Sequence, residues 1–319
     1  MEEKILFTVD TPYRPSLPVK GWFFGNPEKK SLAVMGALRG NEIQQMYVCA
    51  RLVRALEAVE KAGLLAEDCG LLVVPCANQF SMNVGRRFWA ADNTDINRMF
   101  PGYDAGETTQ RIAARVFHAL QGYQYGVQLA SFYMPGDHLP HVRIMETGYQ
   151  HAEEATAFGL PYILLRTPQS YDTTTLNYNW QIWSTQAFSL YTTSTDHIDE
   201  PAAATAVEAV LRFLSLKGFS RQMFPRLTTR PTLFRENQLH NILSTAGGLL
   251  LCRRKPGDPV EKGDVLCEIL NPCTCEVLEQ LRADCRGQVF FCHHTQLING
   301  HEVAYRILPD EEKGFLFYD

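Results

Sequence analysis

The chain has 319 residues, 45% of them hydrophobic and 20% charged, which is enough apolar material to bury one large core or two smaller ones. Its formal net charge of -5 offers no basic field for phosphates, so no nucleic-acid partner is expected. No apolar run approaches the roughly 20 residues that span a bilayer, and Met1 to Ile5 is neither basic nor apolar, so no membrane association and a cytoplasmic location are expected.

In chain order, Ser31 to Gly36 is a short apolar run that predicts a strand. Apolar residues at Ile43, Met46, Ala50, Val53, Leu56 and Val59 then predict a helix closing near Gly63. Cys69 to Pro75 repeats the buried-strand pattern about 35 residues after the first, the spacing of a βαβ unit. A helix follows at Thr108 to Leu120, with strands at Gly126 to Ala130, Tyr162 to Leu165 and Phe188 to Tyr191. The last helix runs from Pro201, suited to a first helical position, to Leu216. This alternation predicts an α/β domain over residues 1–229, a doubly wound, mostly parallel sheet with helices on both faces. Ligands of such sheets sit beyond the carboxyl ends of the strands, which directs attention to the loops after Gly36, Pro75 and Ala130.

From residue 230 onward, short β-like runs separated by turn signals predict a small all-β, barrel-like module over 230–319. The stretch from Gly257 to Leu266 resembles the hairpin of lipoyl and biotinyl carriers. The later turn, Asn271-Pro-Cys-Thr-Cys-Glu276, has no lysine to carry the group. Neither lipoyl nor biotin is therefore expected, and a cap or oligomerisation unit is the better reading. The nine cysteines, an odd number, fit a reducing compartment better than a disulfide framework. Cys252, Cys267, Cys273, Cys275, Cys285 and Cys292 gather in this module beside His293 and His294, in a spacing that matches no zinc ribbon or finger.

Two motifs carry the chemistry. Gly36-Ala-Leu-Arg39-Gly-Asn-Glu42 follows the first strand, and Val74-Pro-Cys-Ala-Asn78-Gln-Phe80 leads into Arg86-Arg87 and Asp95-Ile-Asn97-Arg98-Met-Phe100-Pro-Gly102. Together they resemble the succinylglutamate desuccinylase and aspartoacylase family, relatives of the zinc carboxypeptidases. That family has Gly-x-His-Gly-Asn-Glu in the first motif and Asp-x-x-Asp-Leu-Asn-Arg-x-Phe-Pro-Gly in the second. The resemblance implies a zinc carboxypeptidase-like fold, zinc and hydrolysis of N-acyl amino acids. It also implies that Arg87, Asn97 and Arg98 hold the substrate's carboxylate and polarise its carbonyl, work suited to the fork of arginine.

Carried over by position, Glu42 is the carboxylate ligand of the zinc, but Arg39 stands where the family has a histidine. Gln128-Leu-Ala130 stands where it has Asp-Leu-His, and Tyr191 where it has the general base. A guanidinium has no lone pair for a metal and alanine has no donor at all. Tyrosine is a poor base near neutral pH. An ion pair from Arg39 to Glu42 is the expected replacement, the guanidinium taking the metal's electrostatic place. Asp92, Asp95 and the arginines can alternatively be read as salt bridges that brace the loop.

The segment Met134 to Glu146 is read as a loop at the pocket mouth offering His138, His141 and Arg143. Arg143, like Arg39, is counted with the substrate-binding residues. A displaced zinc held by Glu42 with His138 or His141 is the alternative to a lost metal site. Tyr171 with Tyr178 and Trp180 with Trp183 fit either a pocket lining or the core. Three functions follow. The first is a metal-poor homologue that binds a small carboxylate or amino-acid-like ligand, or that partners a catalytically intact relative. The second is an active metal-dependent amidohydrolase with rearranged ligands, and the third a structural subunit of a homo-oligomer.

Overall fold

Leu32–Ala37 is buried at every position, which explains why its sequence is apolar without alternation: as a central strand, β3, it has packed layers on both faces. The computed structural model describes residues 1–10, 13, 15–225 and 230–312. Ahead of β3 lie β1 (Glu2–Val9) and β2 (Leu17–Gly25), an antiparallel pair. They have no place among the predicted elements because β1 is mostly exposed and lacks the apolar run of a buried strand. Helix α1 (Ile43–Lys61) and strand β4 (Gly70–Cys76) follow, then α2 (Gln79–Asn83), α3 (Thr108–Leu120), β5 (Tyr125–Ala130), β6 (Gly136–His138) and β7 (His141–Met145). The α/β part continues with β8 (Tyr162–Arg166), α4 (Leu176–Ile182), β9 (Gln186–Tyr191), α5 (Glu200–Leu216) and β10 (Thr232–Arg235).

Nine strands form one sheet in the order β1-β2-β4-β3-β5-β9-β7-β8-β10. The pairs β4/β3, β3/β5, β5/β9, β7/β8 and β8/β10 are parallel, and β9/β7 is antiparallel. Helices α1 and α5 pack Val48, Leu52, Leu56, Val210 and Phe213 against one face. Helices α3 and α4 pack Ile112, Val116, Leu176 and Trp180 against the other. The sheet is thus doubly wound and mostly parallel, as predicted.

Two expectations need correction. Strand β10 pairs with β8, so the large sheet extends past residue 229 and the β module begins with β11 (His240–Leu243). Residues 134–146 are not a simple loop, because β7 joins the large sheet while β6 pairs with a strand of the module, so the two parts interlock. The module comprises β11, β12 (Gly248–Cys252), β13 (Pro259–Val260), β14 (Val265–Leu270), β15 (Val277–Arg282), β16 (Gly287–His293), β17 (Leu297–Ile298) and β18 (Val303–Pro309). They form two antiparallel sheets, β11-β18-β16-β13 and β15-β14-β12-β17, around a core that includes Leu266, Ile269, Val289 and Tyr305.

Candidate functional site

The parallel strands β3, β5 and β9 end side by side, and the residues just beyond or at those ends meet: Arg39 after β3, Ala130 and Ser131 at and after β5, Tyr191 at the end of β9. The turn between β3 and α1 is organised by Glu42, which is 1% exposed. Its Oε2 accepts hydrogen bonds from the backbone N–H of Leu38 at 2.8 Å and of Arg39 at 3.0 Å. Its Oε1 accepts from the Arg39 guanidinium at 3.1 Å and from the Ser131 hydroxyl.

Arg39, 5% exposed, also forks onto Asp95, with Nη2 to Oδ2 at 2.8 Å and Nε to both carboxylate oxygens at 3.1 Å. The expected pair with Glu42 is present. A second carboxylate, which sequence reasoning treated only as a loop brace, completes it. Burial alone would lower the Arg39 pKa, but the two carboxylates outweigh it, so the guanidinium holds its proton even more firmly than usual.

This donor set does not fit zinc. Both oxygens of Glu42 already accept hydrogen bonds, Arg39 contributes only donors, and the methyl of Ala130 coordinates nothing. Among the described residues neither Glu42, His138 nor His141 belongs to a group of three ligand atoms within 4.8 Å of one another. Among the described residues the one such group is His240, Asp284 and Cys285 in the β module. Of the cysteines beside His293 and His294, Cys252 and Cys292 approach most nearly, sulfur to sulfur at 3.5 Å.

The histidines expected at the pocket mouth are instead 3% exposed. Residue His138 lies on β6, packed against Phe132 and Phe291. Opposite Tyr191 across the β7/β9 pair, His141 stacks on that ring at 4.6 Å with the planes 6° apart, and its Nδ1 donates to the carbonyl of Leu139 at 2.8 Å. Burial holds His141 near a pKa of about 3 and His138 well below the usual range, so both are neutral. Burial likewise raises the Tyr191 pKa, which leaves its phenol protonated and unable to serve as a base near neutral pH.

A cavity of about 530 Å³, its open mouth included, extends from Arg39. Asn97, Arg98, Gln128, Arg143 and Tyr191 line it, joined by Arg166, Asp172 and Asn177, which no motif pointed to. A larger cleft that shares Tyr133, Arg166 and Tyr171 continues it towards the β module through Glu236 and Arg306. Most of these cations are committed. Arg166 pairs with Asp172 and Glu236, and Arg98 donates to the carbonyl of Tyr171 and lies 3.5 Å from Asp172. Asn97 spends its Oδ1 on the backbone N–H of Leu176. Arg87 is not among the lining residues, and its guanidinium donates to the carbonyls of Tyr133 at 2.8 Å and Phe132 at 3.3 Å. Arg143 differs: among the described residues it has no carboxylate within ion-pair distance, although its charge helps hold the Glu236 carboxyl below its usual pKa, and its guanidinium lies 4.8 Å over the Tyr191 ring. Tyr171 lines the cavity, whereas Trp180 is core and Trp183 is half exposed.

Residues 28–216 match the model of the succinylglutamate desuccinylase/aspartoacylase catalytic domain. The chain belongs to this family. Solved structures share its fold: the product-bound ectoine utilization protein EutE (DoeB) of Ruegeria pomeroyi, at 19% identity and a TM-score of 0.76, with 92% of this chain and 89% of that chain covered. A succinylglutamate desuccinylase from Silicibacter sp. TM1040 gives 18%, 0.77, 92% and 88%. An aspartoacylase family protein from Mesorhizobium loti gives 19%, 0.75, 94% and 92%. No curated protein matches in sequence. The coverage extends over the β module as well as the catalytic domain, so the chain has the desuccinylase/aspartoacylase architecture through almost its whole length.

Within the first motif of this desuccinylase/aspartoacylase chain, Gly40 holds two segments together. A Cβ there would lie 2.2 Å from the Arg86 carbonyl oxygen and 2.5 Å from the Ser81 carbonyl carbon, both backbone atoms. Gly40→Ala is expected to cost about 1–3 kcal/mol by overpacking, measured by urea unfolding. A cost below the error of the measurement would show that the 81–98 segment can move away freely.

Proposed function

We infer that this member of the desuccinylase/aspartoacylase family is a binding protein for a small, carboxylate-bearing, amino-acid-like ligand and does not hydrolyse it through zinc. The observation that carries this reading is the Arg39 guanidinium clamped between Glu42 and Asp95. A fixed cation satisfies the carboxylates that would otherwise attract a divalent ion, and it repels such an ion. The neutral His138 and His141, packed against aromatic rings, supply no replacement ligands.

Recognition survives where the metal chemistry does not. The cavity retains Arg98 and adds Arg143, the lining arginine without a carboxylate partner among the described residues. A ligand carboxylate placed against that guanidinium would form a charge-assisted pair in a partly desolvated site. In this role the chain either carries its ligand or partners a relative whose His-x-x-Glu and Asp-Leu-His motifs are intact.

The deciding experiment is metal analysis of protein purified without chelator. Substoichiometric zinc is expected in the wild type, and the double variant Arg39→His with Ala130→His is expected to take up one zinc per chain. Stoichiometric zinc in the wild type would overturn the reading. Co-purification of an intact relative would assign the partner role, and a stable chain that retains carboxylate binding alone would assign the carrier role.

A further inference from the structure

We propose that Cys252 and Cys292 form a thiol modification site in the β module, at which a hydroperoxide oxidises Cys252 and Cys292 resolves the product to an intramolecular disulfide. The site lies outside the cavity described above and does not depend on it.

Cys252 ends β12 and is exposed, whereas Cys292 lies in β16 and is 7% exposed. The two strands belong to different sheets of the module. Their sulfurs nevertheless meet at 3.5 Å, with the Cys292 thiol placed to donate. Cys267 stands opposite Cys252 in the β12/β14 ladder, so the fold offers two candidate partners, and the sulfur contact selects Cys292.

The surroundings give the two thiols different tasks. The hydrogen bond from Cys292 lowers the Cys252 pKa to about 7, against burial and the Asp137 carboxylate, and the Tyr305 hydroxyl and His294 act with it. A reactive thiolate is therefore present near neutral pH on an exposed residue. Cys292 stays protonated, because it donates to Cys252 and because it is buried. Cys49, Cys69, Cys76 and Cys267 are buried, and burial raises the pKa of each, so none of them is poised to react first.

With hydrogen peroxide, the Cys252 sulfur attacks one oxygen, the O–O bond breaks, and the departing hydroxide takes a proton from solvent and leaves as water. The sulfenic acid so formed lies beside Cys292. The Cys292 sulfur attacks it, the S–O bond breaks, and the hydroxide leaves with the Cys292 proton as the second water. Two electrons pass from the sulfurs to the peroxide. The new bond would fasten β12 to β16, the strand whose pairing with β6 interlocks the module with the α/β domain.

The test treats the reduced full chain with hydrogen peroxide at pH 7, alkylates the remaining thiols and maps disulfides by peptide mass spectrometry. A Cys252–Cys292 linkage, with a mass loss of about 2 Da that dithiothreitol reverses, is expected ahead of any linkage of the exposed Cys273 and Cys275. In Cys292→Ser the Cys252 sulfenic acid is expected to persist and to be trapped by dimedone, whereas Cys252→Ser should leave Cys292 reduced. The wild-type map needs neither variant, so it decides the matter even if a variant fails to fold. A Cys252–Cys267 or Cys273–Cys275 linkage in place of Cys252–Cys292 would overturn the proposal. So would a Cys252 thiol that survives the treatment, or a Cys292 that is oxidised in Cys252→Ser.

Discussion

Arg39→Ala is expected to lose about 3–5 kcal/mol of folding stability, the cost of breaking a buried ion pair by removing one partner. The reason lies in what remains. Glu42 and Asp95, with side chains 2% and 14% exposed, would face each other across a space with no cation between them. Coulomb repulsion would add to desolvation, and Glu42 could not reach water without opening the β3–α1 turn. Arg39→Lys should recover only part of the loss, because a single ammonium cannot make the forked contact to Asp95 and reach Glu42 as well. The triple variant Arg39→Ala, Glu42→Gln, Asp95→Asn should be more stable than Arg39→Ala alone, which identifies the charges rather than the side-chain volume as the cause. Urea unfolding at pH 7 provides the measurement. A loss within about 1 kcal/mol, the range of exposed salt bridges, would mean that the clamp does not act as a buried counter-ion.

Acidification from pH 7 to pH 5 is expected to cost about 4 kcal/mol, shared between His138 and His141. Both have folded pKa values depressed below the ordinary 6.5, His141 to about 3, with burial as the main cause. A depressed folded pKa means that the unfolded chain binds protons first. The contribution of these groups to stability is therefore full above pH 6.5 and declines as pH falls towards the folded values. At pH 5 each neutral histidine costs about 2 kcal/mol relative to an unfolded chain that has taken up its proton. His294 works in the opposite sense, because Asp137, with its carboxylate 3.5 Å from Nδ1, and Asp196 at 3.4 Å raise its pKa and add stability in acid. Its side chain is a quarter exposed, which limits that offset. His141→Phe, which keeps a ring stacked on Tyr191, should flatten roughly half of the acid slope in unfolding free energy. If the wild-type slope between pH 7 and 5 were unchanged in this variant and in His138→Phe, the neutral-histidine account would be wrong.

How far the site was legible from the sequence depended on the kind of residue. The replacement of a metal-ligating histidine by Arg39 could be read from one position, and a guanidinium three residues from Glu42 has an obvious partner. That Asp95 shares the guanidinium could not be read, because 56 residues separate the two in the chain and only the folded loop brings them together. His138 and His141 looked available because histidines in a polar segment suggest ligands. Their segment proved to be two strands whose pairings, with β16 and β9, carry the rings into aromatic packing. Arg87 and Arg98, expected to hold a substrate carboxylate, also donate to the backbone carbonyls of Tyr133, Phe132 and Tyr171, contacts that no sequence pattern announces.

Composition, periodicity and contiguous motifs were enough for the family, the doubly wound α/β sheet and the identity of the residues at the motif positions, because each rests on local pattern: apolar runs of fully buried strands, a contiguous motif, a residue's own chemistry. Only the tertiary structure decided which charges are spent and which are free. Arg143 was a candidate from its place in the 134–146 segment, but its lack of an ion pair could not be read there, and Asn177 belongs to no motif. They stand out because, among the described residues, the Nε of Arg143 and both polar atoms of the Asn177 side chain are buried without a hydrogen-bond partner.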